Sequence, residues 1–68
     1  MTGTVEWFND EKGYGFIRSK DDQVFFVHYS AIRNSHNEYR TLSDGARVRF
    51  EHKYGANGKY ARNVRVLH

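Results

Sequence analysis

The feature that most narrows the folds open to this chain is a two-residue alternation of apolar and polar side chains, confined to short segments. It is clearest in ARVRFEHKY (46–54), where Val48 and Phe50 oppose Arg47, Arg49 and Glu51. Related segments are TVEWF (4–8), GYGFIRS (13–19), VFFVHY (24–29) and KYARNVRVL (59–67). A period of two sends successive side chains to opposite faces of a β-strand, so each segment offers one face to a core. Breakers lie between them: residues 9–12, KDDQ (20–23), a long polar stretch over 33–45, and GANG (55–58). Five short strands joined mostly by tight turns predict a small antiparallel all-β domain. In a chain of 68 residues, curling that sheet into a five-stranded barrel covers a core and removes exposed edges.

The alternation also assigns faces. Ile17, Phe25, Val27, Val48, Phe50, Val64 and Val66 share the side expected to be the core, joined by Val5, Ile32 and Leu42. The first strand breaks the pattern, because Trp7 and Phe8 are adjacent and Val5 has the parity of Trp7. A bulge or strong bend there lets Val5 point inward while Trp7 turns outward. A bulge at Val24 would instead exchange Phe25 and Phe26. With Phe26 outside, the outer face carries Trp7, Tyr14, Phe16, Phe26 and His28 on neighbouring strands, with Tyr29 beside them. Lys12, Arg18 and, farther off, Lys59 or Arg62 stand around these rings. Exposed rings with cations at their margin suit stacking on unpaired bases, with positive charge for the phosphates. Each stacked base is worth about 1–3 kcal/mol, more than a single exposed ion pair at about 0–1 kcal/mol.

Charge points the same way. The net +3 hides an asymmetry: residues 1–44 carry five bases and seven acids, whereas residues 45–68 carry six bases and one acid. The resulting local +5 attracts a polyanion. Catalysis has little support. His28, His36, His52 and His68 are dispersed, cysteine is absent, and adjacent Asp21 and Asp22 read as turn formers rather than an acid-base pair. No metal and no cofactor are expected. No apolar run is long enough to cross a bilayer, and no basic segment followed by an apolar stretch opens the chain. The chain therefore reads as one soluble, cytoplasmic domain over 1–68, expected to be a monomer with no membrane partner.

GTVEWFNDEKGYGFI (3–17) and VFFVHYSAI (24–32) resemble, in sequence and joint spacing, the two ribonucleoprotein motifs of the bacterial cold-shock protein family, and YRTLSDGARVRFE (39–51) and ARNV (61–64) are similar to its later pattern. The resemblance covers essentially the whole chain. It implies a barrel of the oligonucleotide-binding type that binds single-stranded RNA or DNA with low sequence selectivity. Members are thought to melt RNA secondary structure and to influence transcription termination or translation, sometimes in response to cold. By resemblance Trp7, Tyr14, Phe16, Phe26, His28 and Tyr29 match base-stacking positions and Tyr39 an additional loop aromatic. Lys12 matches a residue that contacts the backbone or a base edge, and Asn9 a turn residue near the binding face.

The departures carry information too. Glu6 stands where the family usually has lysine, which should weaken phosphate attraction at that end. Val24 replaces a usual aspartate, RNSHNE (33–38) is about two residues longer than the common connection, and NGKYA (57–61) puts Lys59 and Tyr60 where proline and glutamine are common. The principal competing reading is a small barrel that recognises a protein or peptide through the same aromatics. A metal-free nuclease is disfavoured, since a narrow barrel that fills its own core offers little concave space for an acid-base pair.

Overall fold

A computed structural model describes residues 1–33, 42–56 and 58–67. Five strands form, β1 (Thr2–Asn9), β2 (Tyr14–Ser19), β3 (Val24–His28), β4 (Arg47–Gly55) and β5 (Gly58–Val66), with one 3-10 turn over Tyr29–Ala31 after β3. They close into a barrel in the order β1-β2-β3-β5-β4. Neighbours pair antiparallel except at the seam, where β3 and β5 run parallel and touch at Phe26 and Tyr60. A parallel bridge between Ile32 and Val64 extends that seam past the 3-10 turn.

The barrel closes because two strands are kinked. Between Val5 and Trp7 the β1–β2 register slips by one, leaving Glu6 as the extra residue. Val5 is consequently buried and Trp7 is 41% exposed, as a bulge in this strand predicts. The kink presses β1 onto Gly15. A Cβ there would sit 2.1 Å from the Trp7 carbonyl oxygen and 2.7 Å from the Phe8 Cα, so only glycine admits this crossing.

The second kink lies in β5. Arg49 faces Arg65 but Glu51 faces Arg62, so β5 carries one residue more than β4 over this interval. Asn63 takes up the difference with φ of 51°, a left-handed conformation that asparagine tolerates better than most residues. Its side-chain Nδ2 donates to Glu51 Oε2 at 2.6 Å across the bulge. The slip reverses parity along β5. Val64 points inward above the bulge, and Ala61 points inward below it.

Val5, Ile17, Phe25, Val27, Ile32, Leu42, Val48, Phe50, Ala61 and Val64 form the buried core. Phe25 and Phe50 meet at its centre, with ring centroids 5.2 Å apart. Nine of the expected core positions are buried; Val66, near the end of β5, is half-buried against the cluster rather than within it. Phe25 is sealed while Phe26 is 37% exposed, so no bulge exchanges them. The fold thereby spends its inward positions on a filled interior and leaves the outer wall of β1–β3 to the remaining rings.

Candidate nucleic-acid interface

Tyr14 and Phe16 alternate with Gly15 and Ile17, so both stand on the outer face of β2. Register brings Phe16 opposite both Trp7 on β1 and Phe26 on β3, and Tyr14 opposite His28. Four rings are thus in mutual contact. Trp7 lies edge-on to Tyr14 at 5.9 Å and to Phe16 at 5.3 Å between centroids. Phe26 stacks on Tyr14 at 5.8 Å and meets Phe16 edge-on at 5.9 Å. Edge and offset contacts are the favoured aromatic geometries, and they hold each ring with part of a face turned to solvent.

The Asp10–Gly13 turn places the next two residues. Asn9 Oδ1 accepts from the Lys12 backbone N–H at 3.0 Å, and the Asn9 carbonyl accepts from Gly13 N–H at 2.8 Å. Gly13 has φ of 76°, and an added Cβ would lie 2.8 Å from Tyr29 Cδ1. The Gly13 carbonyl accepts from Tyr29 N–H at 2.8 Å, so the missing side chain lets Tyr29 settle against the turn that exposes Lys12. Tyr29 stays 47% exposed, its ring 4.4 Å from that of His28. The Ser30 backbone N–H donates to His28 Nδ1, whose other neighbour is Ser30 Oγ at 2.8 Å. These contacts orient the ring so that Nε2 lies on the edge away from Ser30.

Cations are distributed unevenly around this surface. The Arg18 Nε donates to Glu6 Oε1, and Arg18 Nη1 donates to Asp22 Oδ1 at 3.2 Å. The hydrogen bond Arg18 donates to Glu6, then that to Asp22, raises the Arg18 pKa above its ordinary value. Arg18 therefore stands at the margin already engaged by two carboxylates. Lys59 is similarly occupied: its Nζ donates to Gln23 Oε1 at 3.0 Å and lies 5.4 Å from the centroid of Phe25. Arg62 is exposed on β5 and Lys12 on the turn. Tyr39 lies outside the described residues.

A groove of about 870 Å³ runs between the β2–β3 rings and β5, lined by Phe16, Phe26, His28, Arg33, Lys59, Tyr60 and Arg62 among others. Tyr60 is the candidate that sequence reasoning passes over. Strict alternation through Val66 and Val64 sends Tyr60 inward, and only the Asn63 bulge turns it out to stand beside Phe26, where it is 37% exposed. Its ring crosses Gly55, whose added Cβ would meet Tyr60 Cε1 at 3.2 Å. The parity shared with Arg62 in KYAR was the available signal. Among the described residues no group of three His, Cys, Asp or Glu is placed to hold a metal ion, and no helix is long and apolar enough to cross a membrane.

A closed five-stranded barrel with one outer wall tiled by contacting, solvent-facing rings has the build of a single-strand nucleic-acid-binding module. The chain belongs to the cold-shock domain family: residues 1–67 match the model of the 'Cold-shock' DNA-binding domain. It is 48% identical over 68 residues to cold shock-like protein CspJ of Salmonella typhi, covering 98% of this chain and 94% of that one. It is 51% identical over 65 residues to cold shock-like protein CspB of Escherichia coli K12, covering 94% and 89% respectively. The major cold shock protein of Streptococcus pyogenes serotype M18 is 45% identical over 65 residues, covering 96% and 94%.

Proposed function

We propose that this chain binds unpaired RNA or DNA across the outer wall of β1–β3, as one non-enzymatic, cytoplasmic, monomeric domain. In this reading bases stack on Trp7, Tyr14, Phe16, Phe26, His28 and Tyr29, with Tyr39 as a further loop aromatic and Tyr60 continuing the surface past Phe26. Lys12 and Arg62 supply charge to the phosphates, Lys59 does so only on leaving Gln23, and Asn9 shapes the turn that presents Lys12. The observation that carries the reading is the four-ring contact set on an exposed strand face, which folding alone does not require.

Stacking accepts every base, so selectivity among sequences is low, and among the described residues no element is shaped to enter a duplex groove. Capturing unpaired segments shifts transcripts away from internal pairing by mass action, so the chain acts as an RNA chaperone that influences transcript structure, transcription termination or translation. Titration of a labelled oligonucleotide against the matching duplex, at several salt concentrations, tests this. Single strands bind more tightly at every salt concentration; equal or tighter duplex binding overturns the reading, and binding only to peptides replaces it with a protein-recognition role.

A further inference from the structure

The ring face does not absorb the basic excess of the C-terminal third. Arg49 on β4 and Arg65 on β5 are direct antiparallel partners, and Arg47 lies two residues before Arg49 on the same side of β4; all three are exposed. On the other flank of β4, β1 sets Thr4 opposite Arg47 and Thr2 opposite Arg49, two small neutral side chains. Like charges directly opposite one another destabilise a sheet. The ion pairs of Arg18 with Glu6 and Asp22 do not involve these three arginines. Glu51, the next carboxylate along β4, lies past the β5 bulge opposite Arg62 and accepts from Asn63.

Arginine is the side chain best shaped for phosphate, since its planar fork donates two parallel hydrogen bonds and keeps its charge at any physiological pH. Going round the barrel wall, the rings occupy β3, β2 and the half of β1 beyond the Glu6 bulge, whereas the arginines follow the other half of β1 onto β4 and β5. A strand stacked on the rings leaves them uncovered. We propose that Arg47, Arg49 and Arg65 form a second polyanion site that takes the sugar-phosphate backbone of another nucleic-acid segment. One chain then holds two strands at once and speeds the pairing of complementary ones. The inference rests on the single-strand reading of the ring face only for the first segment.

The test combines an NMR titration of the full chain with an oligothymidylate and a strand-annealing assay using donor- and acceptor-labelled complementary strands. Two phases are expected. The first moves amides around Phe16 and Phe26, and the second, weaker phase moves Thr2, Thr4, Arg47, Arg49 and Arg65. Arg49→Gln/Arg65→Gln keeps the first phase, loses the second and loses the acceleration of annealing. In the parent, the second phase weakens with salt at a slope of about 0.7 for each phosphate contact it makes. The same variant melts at a higher temperature than the parent, because the opposed charges are gone. A single phase, or a second phase and annealing rate unchanged in this variant, overturns the proposal. So does arginine-dependent binding to vesicles of anionic phospholipid with no second phase for oligonucleotide. Phe16→Ala/Phe26→Ala separates the two readings: an intact first phase there defeats the ring-face assignment, while the arginine variant still decides the second site.

Discussion

Phe25 and Phe26 are neighbours in sequence on opposite sides of the barrel wall, the first with no exposed surface and the second 37% exposed. Phe26→Ala should therefore cost binding and leave folding nearly untouched. Loss of one stacked ring lowers single-strand affinity by about 1–3 kcal/mol, roughly five- to more than a hundredfold. Val27→Ala opens a cavity in the core and should cost about 1–3 kcal/mol of stability with little effect on the affinity of the folded fraction. Parallel titration and urea denaturation of the two variants check the ranking, and the reverse order would refute the division of faces.

Glu6 both places a negative charge beside the rings and engages Arg18. Glu6→Gln removes one of the two negative charges paired with Arg18 and leaves that of Asp22, whose carboxylate is largely exposed. The slope of log affinity against log salt should then steepen by about 0.7, the effect of one added phosphate contact on a single strand. Glu6→Lys should steepen it further and raise affinity at low salt. High salt screens that gain, whereas the penalty of Trp7→Ala persists because stacking is not screened. Fluorescence titrations with a label independent of Trp7 measure both; unchanged slopes would show that the phosphate path avoids position 6.

Asp21 links the β2–β3 turn to pH. Its carboxylate accepts from Ser19 Oγ and from Gln23 Nε2, and these bonds, Ser19 first, hold its pKa below the ordinary aspartate value. A depressed folded-state pKa contributes stability that is complete above the unfolded value and is lost as pH falls through the folded one. The melting temperature of the parent should therefore fall more steeply than that of Asp21→Asn as pH drops below about 4. Thermal melts in acid buffers compare the two, and parallel curves would remove the assigned linkage.

Gly15→Ala should damage fold and site together. Its Cβ meets backbone at 2.1 Å, which no rotamer relieves. Overpacking of this kind costs about 1–3 kcal/mol or more. Because the clash falls on the Trp7 carbonyl, Trp7 emission should shift in the folded variant and affinity should drop. A variant as stable as the parent with unchanged emission would show that the bulge does not need glycine.

Local periodicity determined the strands and most of their faces. Ile17, Phe25, Val27, Val48 and Phe50 are inward, and Tyr14, Phe16 and Phe26 outward, because side-chain direction in a regular strand alternates whatever it pairs with. The irregular parity of Val5, Trp7 and Phe8 was enough to require a bulge in β1. What remained for the tertiary structure depends on partners distant in sequence. The Asn63 slip exists only relative to β4, and it moved Ala61 into the core and Tyr60 onto the surface. Tyr60 then reaches Phe26 through the parallel seam that closes the barrel, a contact between residues 34 positions apart that no local pattern encodes. Charge behaves likewise. The count of basic residues was legible, but only register decides that Arg18 is engaged by Glu6 while Arg49 confronts Arg65, since Coulombic attraction and repulsion follow distance in space rather than along the chain.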